Sequence, residues 1–338
     1  MSDHAASSMP LLEVRNLTVT FGRKAKVYAV NDVSFTIARR ETVALVGESG
    51  SGKSTIARAI SGLVPYTGYI GIAGQDLGAL TGRRRTEAAP LRQMVFQDPY
   101  SSLDPSMTVG EIILEPLRRL RKLDTAEKGR KVSQLLDEVQ LPRSFASRLP
   151  HELSGGQRQR VAIARAVSVE PELVICDEAL SALDVTTQAE VIDLLERLRL
   201  DQGLSYLFIA HDLSVVKRIA DRVAVMYFGR LMEEGDTLPL FRSPAHPYTQ
   251  ALLSAAPVPN PHVQRSRQRI ILGGEPPDPT NPPGGCVFAP RCASVMPICS
   301  TVVPTRVRTE VGTDASCHLY PPGALDGACA LPVRDGSR

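Results

Sequence analysis

Residues 47–54 read GESGSGKS, and their chemistry can be named from residue type and spacing alone. Gly47, Gly50 and Gly52 permit a tight curl that turns main-chain N–H groups inward, toward phosphate oxygens. The apolar run ETVALVG leads into this loop and STIARAISGLV leads out of it. That strand–turn–helix order adds the positive end of a helix dipole. Lys53 then reaches β- and γ-phosphates, and the Ser54 hydroxyl serves as a ligand for Mg²⁺. The loop by itself implies a nucleoside triphosphate.

Five further groups follow in order. Gln97 closes the strand-like RQMVF, and LSGGQ at 153–157 opens the helical GQRQRVAIARA. The apolar LVIC ends in Asp177 and Glu178, SALD occupies 181–184, and His211 follows YLFIA. This series, spread over residues 11–230, resembles the ATP-binding subunit of ABC transporters. The resemblance implies a P-loop NTPase core of the α/β class with a helical subdomain, acting as an ATPase with ATP and Mg²⁺.

Under that resemblance Asp177 holds Mg²⁺ through water, at the carboxyl end of a strand where α/β sheets place ligand groups. Glu178 suits a general base that orients the attacking water. His211 touches the γ-phosphate, and Gln97 approaches both the metal and the water. The nucleotide-binding set runs Gly47, Glu48, Ser49, Gly50, Ser51, Gly52, Lys53, Ser54 and Thr55. Ser154, Gly155, Gly156 and Gln157 present a hydroxyl and N–H groups at a helix start to ATP on an opposing subunit, with Asp184 on the seam. An aromatic residue upstream of the loop stacks on adenine. Phe21, followed by Gly22, fits that pattern; Tyr28 is the alternative, although it precedes the apolar pair Ala29-Val30 and also suits packing.

The elements that must position these groups are legible as short apolar runs. LEVRNLTVTF, DVSFTI, GYIGIAG, RQMVF, PELVICDE, LSYLFIAHD and VAVMYFGRL read as strands. TVGEIILEPLRRL, AEKGRKVSQLLDEVQ, GGQRQRVAIARAVSV and TQAEVIDLLERLRL read as helices by period. Strand–helix alternation implies a parallel sheet. The division is an ATPase domain over 10–255, with a helical subdomain near 98–168, and a Pro/Gly-rich extension over 256–338.

FQDPYSSLDPSMTV, HPYTQALLSAAPVPNP and NPPGGCVFAPRC narrow the resemblance to the ATP-binding subunits of oligopeptide, dipeptide and nickel importers. Ala179-Leu180 replaces the commoner Pro-Thr of CDEPTSALD, but neither residue carries the chemistry. The narrower resemblance implies two transmembrane permeases, a second ATPase that is often a different chain, an extracytoplasmic solute-binding protein, and a peripheral place on the cytoplasmic face of the membrane. A soluble ABC ATPase is the alternative; such chains typically pair two cassettes or insert long coils.

Cys286, Cys292, Cys299 and Cys317 give C-x5-C-x6-C-x17-C in a small loop-rich module. Close C-x₂₋₄-C pairs, the usual zinc spacing, are absent. Separated thiolates in loops suit a [4Fe–4S] cluster, which some members of the importer family carry. Zinc, with His318 as a competing ligand, and a metal-free module stay open. Cys176 falls inside an apolar strand, and Cys329 has no evident partner.

Composition excludes other classes. The 338 residues carry 39 basic and 36 acidic side chains, a net +3, too balanced for a nucleic-acid partner. No run approaches the ~18 apolar residues of a membrane span. MSDHAASSMP lacks the pattern of a secretory signal, so the cytosol is the default compartment.

Overall fold

The computed structural model describes residues 9–22, 26–120, 124–256, 270–275 and 277–321. Cys329 and most of the 256–269 linker lie outside them.

The chain opens with β1 (Leu12–Phe21) and β2 (Val27–Ile37), an antiparallel pair. Leu12, Val14, Leu17 and Val19 of β1 are all buried, although strict alternation breaks after Val14. A bulge repairs the break: the register shifts between Val14 and Leu17, and Asn16 sits at φ 49°. The extra residue returns Leu17 and Val19 to the core face. Next come β3 (Thr42–Val46), α1 (Lys53–Ile60), β4 (Thr67–Ile72), β5 (Gln75–Asp76) and α2 (Gly82–Ala88). The first sheet has the order β2-β1-β4-β5.

β6 (Arg92–Val95) leads into a helical region of α3 (Pro99–Ser102), α4 (Val109–Leu114), α5 (Thr125–Glu138) and α6 (Gly155–Val167). TVGEIILEPLRRL is not one helix. α4 stops at Leu114, and a 3₁₀ turn begins at Pro116, which lacks the N–H that helix continuation needs.

The core resumes with β7 (Leu173–Asp177), α7 (Val185–Gln202), β8 (Ser205–Ile209), α8 (Leu213–Ile219), β9 (Arg222–Tyr227) and β10 (Arg230–Asp236). VAVMYFGRL is two strands rather than one. Phe228 (φ 48°) and Gly229 (φ 75°) form the tight turn between β9 and β10, which pair antiparallel. Positive φ at both central residues is the geometry that matches strand twist in a two-residue hairpin. Without the usual Asn-Gly, nothing local announces it.

α9 (Thr237–Arg242), α10 (Pro247–Ala255), β11 (Arg306–Arg308) and β12 (Asp314–Ser316) complete the described chain. The second sheet has the order β11-β12-β10-β9-β3-β8-β7-β6, with β9 through β6 parallel. β3, β7 and β8 are buried at every residue, as a parallel sheet covered on both faces requires.

The C-terminal segment does not hang free of this core. β12 pairs with β10, and Cys286, Val287, Phe288 and Cys299 join the main hydrophobic cluster. His246 is fully buried and caps α10 by accepting from the Tyr248 N–H; burial pushes its imidazole pKa down to about 3, so it stays neutral.

Candidate active site

Four neighbouring parallel strands, in the order β3-β8-β7-β6, deliver the site from their carboxyl ends. Gly47 follows β3, Asp177 ends β7, and His211 and Gln97 lie just beyond β8 and β6. Side chains up to 123 positions apart in sequence meet here because the strands lie side by side.

The loop between β3 and α1 requires its glycines. Gly47 has φ +149°, and a Cβ there would lie 2.1 Å from the Met226 carbonyl oxygen. Gly52 has φ +102° as the N-cap of α1, and a Cβ would lie 2.3 Å from the Ala29 carbonyl oxygen. Lys53 is buried, and its Nζ donates to Gly47 O (2.9 Å), Glu48 O (2.8 Å) and Ser51 Oγ (3.2 Å). Burial lowers its pKa; the carboxylates of Glu178, Asp177 and Glu48 oppose that shift. Ser49 and Gly50 are exposed at the tip, and Ser54 and Thr55 are half-buried at the start of α1.

Ser54 Oγ donates to Asp177 Oδ1 at 2.7 Å, which brings together the hydroxyl and the carboxylate expected to serve Mg²⁺. Asp177 is 4% exposed, and burial raises its pKa. A hydroxyl and a carboxylate together offer the oxygen donors that a hard divalent cation takes. The ion would neutralise charge on the β- and γ-phosphate oxygens.

Glu178 carries φ 47°, held by its N–H to Ile209 O (3.0 Å) and by the Ser181 hydroxyl donating to its carbonyl (2.9 Å). This uncommon backbone turns the carboxylate toward the end of β6. There Gln97 Nε2 donates to Glu178 Oε2 at 2.7 Å, and His211 Nδ1 lies 3.9 Å from the same oxygen. Asp212, beside His211, caps α8 by accepting from Ser214 N–H. A base, an amide and an exposed imidazole thus surround one position beside the loop, where a water can be held for in-line attack on a γ-phosphate.

LSGGQ forms a separate patch. Ser154 accepts from Gln157 N–H (3.3 Å) and Gln157 Oε1 accepts from Ser154 N–H (2.9 Å), a capping box on α6. Gly155 and Ser154 are exposed. Gly156 packs on α7, where a Cβ would lie 2.4 Å from Thr187 Cγ2. Thr187 in turn donates to Asp184, which caps α7. Among the described residues no hydrogen bond or ion pair joins residues 154–157 to the phosphate loop. Phe21 is 43% exposed at the end of β1, open for stacking, whereas Tyr28 is half-buried in β2.

Sequence reasoning missed four side chains that organise these patches. Arg165 Nη1 donates to Ser102 O (2.7 Å) and Arg158 lies 4.6 Å over the Tyr100 ring. Both tie α6, which Ser154 caps, to the segment that follows Gln97. Tyr248 Oη accepts from Glu48 N–H (2.9 Å), and Arg291 Nη1 pairs with Glu48 Oε2 (2.8 Å). The strings HPYTQALL and FAPRC carried these last two; they marked a resemblance without suggesting a role.

The cysteines depart from expectation. Cys286, Cys299 and Cys317 are buried, Cys292 is half-buried, and all four are free thiols. They are gathered, with Cys286 N–H donating to Cys299 O at 2.8 Å. Yet among the described residues no group of three or more His, Cys, Asp or Glu is placed to hold a metal ion. The expected [4Fe–4S] geometry is therefore not met. Burial raises the Cys286, Cys292 and Cys317 thiols, the last to about 11. His318, the competing zinc ligand, has Nε2 2.8 Å from the Val302 carbonyl oxygen. Cys176 is a core thiol, pushed by burial up to about 12.

A phosphate loop, a strand-end Asp-Glu pair and a capped LSGGQ helix on one parallel sheet define an ATP-binding cassette. Residues 30–181 match the ABC transporter family, and residues 232–299 match the oligopeptide/dipeptide transporter C-terminal region. The chain is 50% identical over 317 residues to the putative oligopeptide transport ATP-binding protein YkfD of Bacillus subtilis (strain 168), covering 92% of this chain and 96% of that one. It is 46% identical over 326 residues to the oligopeptide transport ATP-binding protein AppF of the same organism, covering 94% and 99%. The ATP-binding cassette MJ0796, solved in a dimeric post-hydrolysis state with ADP and Pi, aligns at TM-score 0.62 and 29% identity over 67% of this chain and 98% of that one. The chain belongs to the ABC transporter ATP-binding family, in its oligopeptide/dipeptide branch, and it is an ATPase.

Proposed function

We propose that this ATPase powers import of peptides or related small solutes, as one of two nucleotide-binding subunits beneath a pair of membrane permeases. The observation that carries the reading is the match of residues 232–299 to the oligopeptide/dipeptide C-terminal region, joined to an unbroken set of ATPase groups. Lys53, Glu178, His211 and residues 154–157 are all present, so the chain has what a competent half-site needs on each face. The separation of LSGGQ from its own phosphate loop supports ATP shared between two chains, each giving one face to the other's nucleotide.

No helix among the described residues is long and apolar enough to cross a membrane. Attachment then rests on docking to permeases at the cytoplasmic face. A groove of about 710 Å³ between α4 and α5, lined by Leu114, Leu117 and Val132 with Glu111, Arg118 and Lys128 at hand, suits a permease's cytoplasmic helix. A solute-binding protein outside the membrane completes the assembly.

Affinity purification of the tagged chain from detergent-solubilised native membranes tests this. Two multi-span permeases and a second ATPase are expected to co-purify. In a strain lacking the chain, peptide uptake should return with the wild-type gene and not with Glu178→Gln. Recovery of a soluble chain with ribosomes or DNA-repair proteins, or uptake unaffected by loss of the chain, overturns the importer reading.

The cysteine quartet is read as a structural site, a [4Fe–4S] cluster first and zinc second. Its support is the occurrence of four free thiols in one loop-rich segment, with Cys286 N–H donating to Cys299 O. Metal analysis of anaerobically purified full chain decides it. Iron and acid-labile sulfide in equal amounts, with a broad band at roughly 400 nm, support the cluster. Stoichiometric zinc supports the alternative, and metal-free thiols reject both.

A further inference from the structure

Among the described residues, the region matched over 232–299 hydrogen-bonds the phosphate loop at Glu48. Its carbonyl oxygen accepts from Lys53 Nζ at 2.8 Å on the nucleotide side. On the opposite side, its N–H donates to Tyr248 Oη at 2.9 Å and its carboxylate pairs with Arg291 Nη1 at 2.8 Å. Both partners are firmly held. Tyr248 is fully buried and packs with Tyr227 and Phe288 at ring distances of 4.7 and 5.3 Å. Arg291 sits on a 3₁₀ turn (Ala289–Arg291), its N–H donating to Phe288 O, and its guanidinium also reaches Tyr227 Oη at 3.3 Å. The Arg291 side chain is 12% exposed, against 37% for that of Glu48.

Glu48 is out of place on electrostatic grounds. A loop built to receive a polyanion carries a carboxylate of its own, and its field reaches Lys53. Arg291 is the cation that offsets it, supplied from 243 residues away. Lys53, the one cation of GESGSGKS, spends its donors on Gly47 O, Glu48 O and Ser51 Oγ rather than on the Glu48 carboxylate.

We propose that Arg291 and Tyr248 are positioning residues of the ATP site: Arg291 neutralises Glu48 and Tyr248 anchors its main chain, so that the C-terminal segment sets how well the phosphate loop binds ATP. Neither touches the nucleotide. Arg291 acts through the charge balance of the loop and Tyr248 through the direction of the Glu48 peptide, from which Lys53 hangs. The region 232–299 is thereby part of the nucleotide site as well as an appendage of the sheet.

The inference rests on the ATP-site reading, and the experiment separates the two. Full-length chain is titrated with methylanthraniloyl-ATP and Mg²⁺, and melting is followed without nucleotide. Wild type binds, and Lys53→Ala does not; if both bind alike, the site reading itself falls. Arg291→Gln is expected to weaken binding about tenfold, as uncovering a partly buried charge does, with turnover at saturating ATP within about twofold of wild type. Glu48→Gln tightens binding about twofold, and Glu48→Gln/Arg291→Gln returns to within about twofold of Glu48→Gln, because the charge needing a partner is gone. Tyr248→Phe, which keeps the ring packing, weakens binding about threefold with an unchanged melting temperature, and serves also if Arg291→Gln fails to fold. Unchanged affinity in Arg291→Gln or Tyr248→Phe overturns the proposal. So does a double variant as weak as Arg291→Gln, which would place the effect of Arg291 in folding of the module alone.

Discussion

Glu178→Gln is expected to lower ATP turnover at this half-site by about 10³-fold while ATP binding persists. The replacement is isosteric, so the backbone that presents residue 178 is undisturbed: its N–H still meets Ile209 O, and its carbonyl still accepts from the Ser181 hydroxyl. Gln97 Nε2 now sits 2.7 Å from Oε2, and an amide oxygen can keep that bond. What disappears is a carboxylate able to take a proton from the attacking water. His211, 3.9 Å away, orients and does not replace it, because its partner in that contact is the same carboxylate. Binding depends on the phosphate loop, whose Lys53 spends its bonds on Gly47 O, Glu48 O and Ser51 Oγ and none on Glu178. Phosphate release by the purified complex, with any partner ATPase's own site disabled, measures the effect. Turnover near the wild-type rate would remove Glu178 from the role of base.

Lys53→Ala is expected to weaken ATP binding by about 10²-fold without unfolding the chain. In the structure the ammonium is buried, and its three donors are spent on Gly47 O, Glu48 O and Ser51 Oγ. Burial lowers its pKa, so the fold bears a cost to keep a cation there. That cost is recovered when a polyanion arrives, and the stability of the empty protein does not depend on it. The nucleotide-free melting temperature of Lys53→Ala should therefore stay within a few degrees of wild type, about the span of 1 kcal/mol in a domain of this size. The pairing of lost affinity with kept stability is characteristic of a binding residue. Isothermal titration with Mg-ATP and a thermal scan give the two numbers. Wild-type affinity, or collapse of the fold, would each contradict the account.

Much of the site was legible before any coordinates because its chemistry is local. GESGSGKS curls through its own glycines, and its strand and helix adjoin it in sequence. Asp177 and Glu178 announce themselves by ending an apolar run, and Ser154 by opening a helix that it caps. Where the reading of elements failed, a single residue with uncommon backbone needs was responsible. Phe228 accepts φ 48° to split one apparent strand into a hairpin, and Pro116 ends a helix whose apolar period continues past it. The four cysteines were recognised as a group, yet their spacing carried no information on the direction of each sulfur, and the expected metal geometry is not met.

The sequence by itself determined the family, the ATPase chemistry and the residues proposed to bind nucleotide, because contiguous backbone builds the phosphate loop and each strand end carries its own polar side chain. Only the tertiary structure decided which of these meet and what holds them. Strand order β3-β8-β7-β6 sets Ser54 against Asp177 and Gln97 against Glu178. β12 pairs with β10 and α10 buries Tyr248, which carries Tyr248 and Arg291 to Glu48 across 200 and 243 residues. No period or spacing encodes such contacts: they arise when separate apolar segments bury their surfaces together, and the partner of a charge is fixed only once the packing is complete.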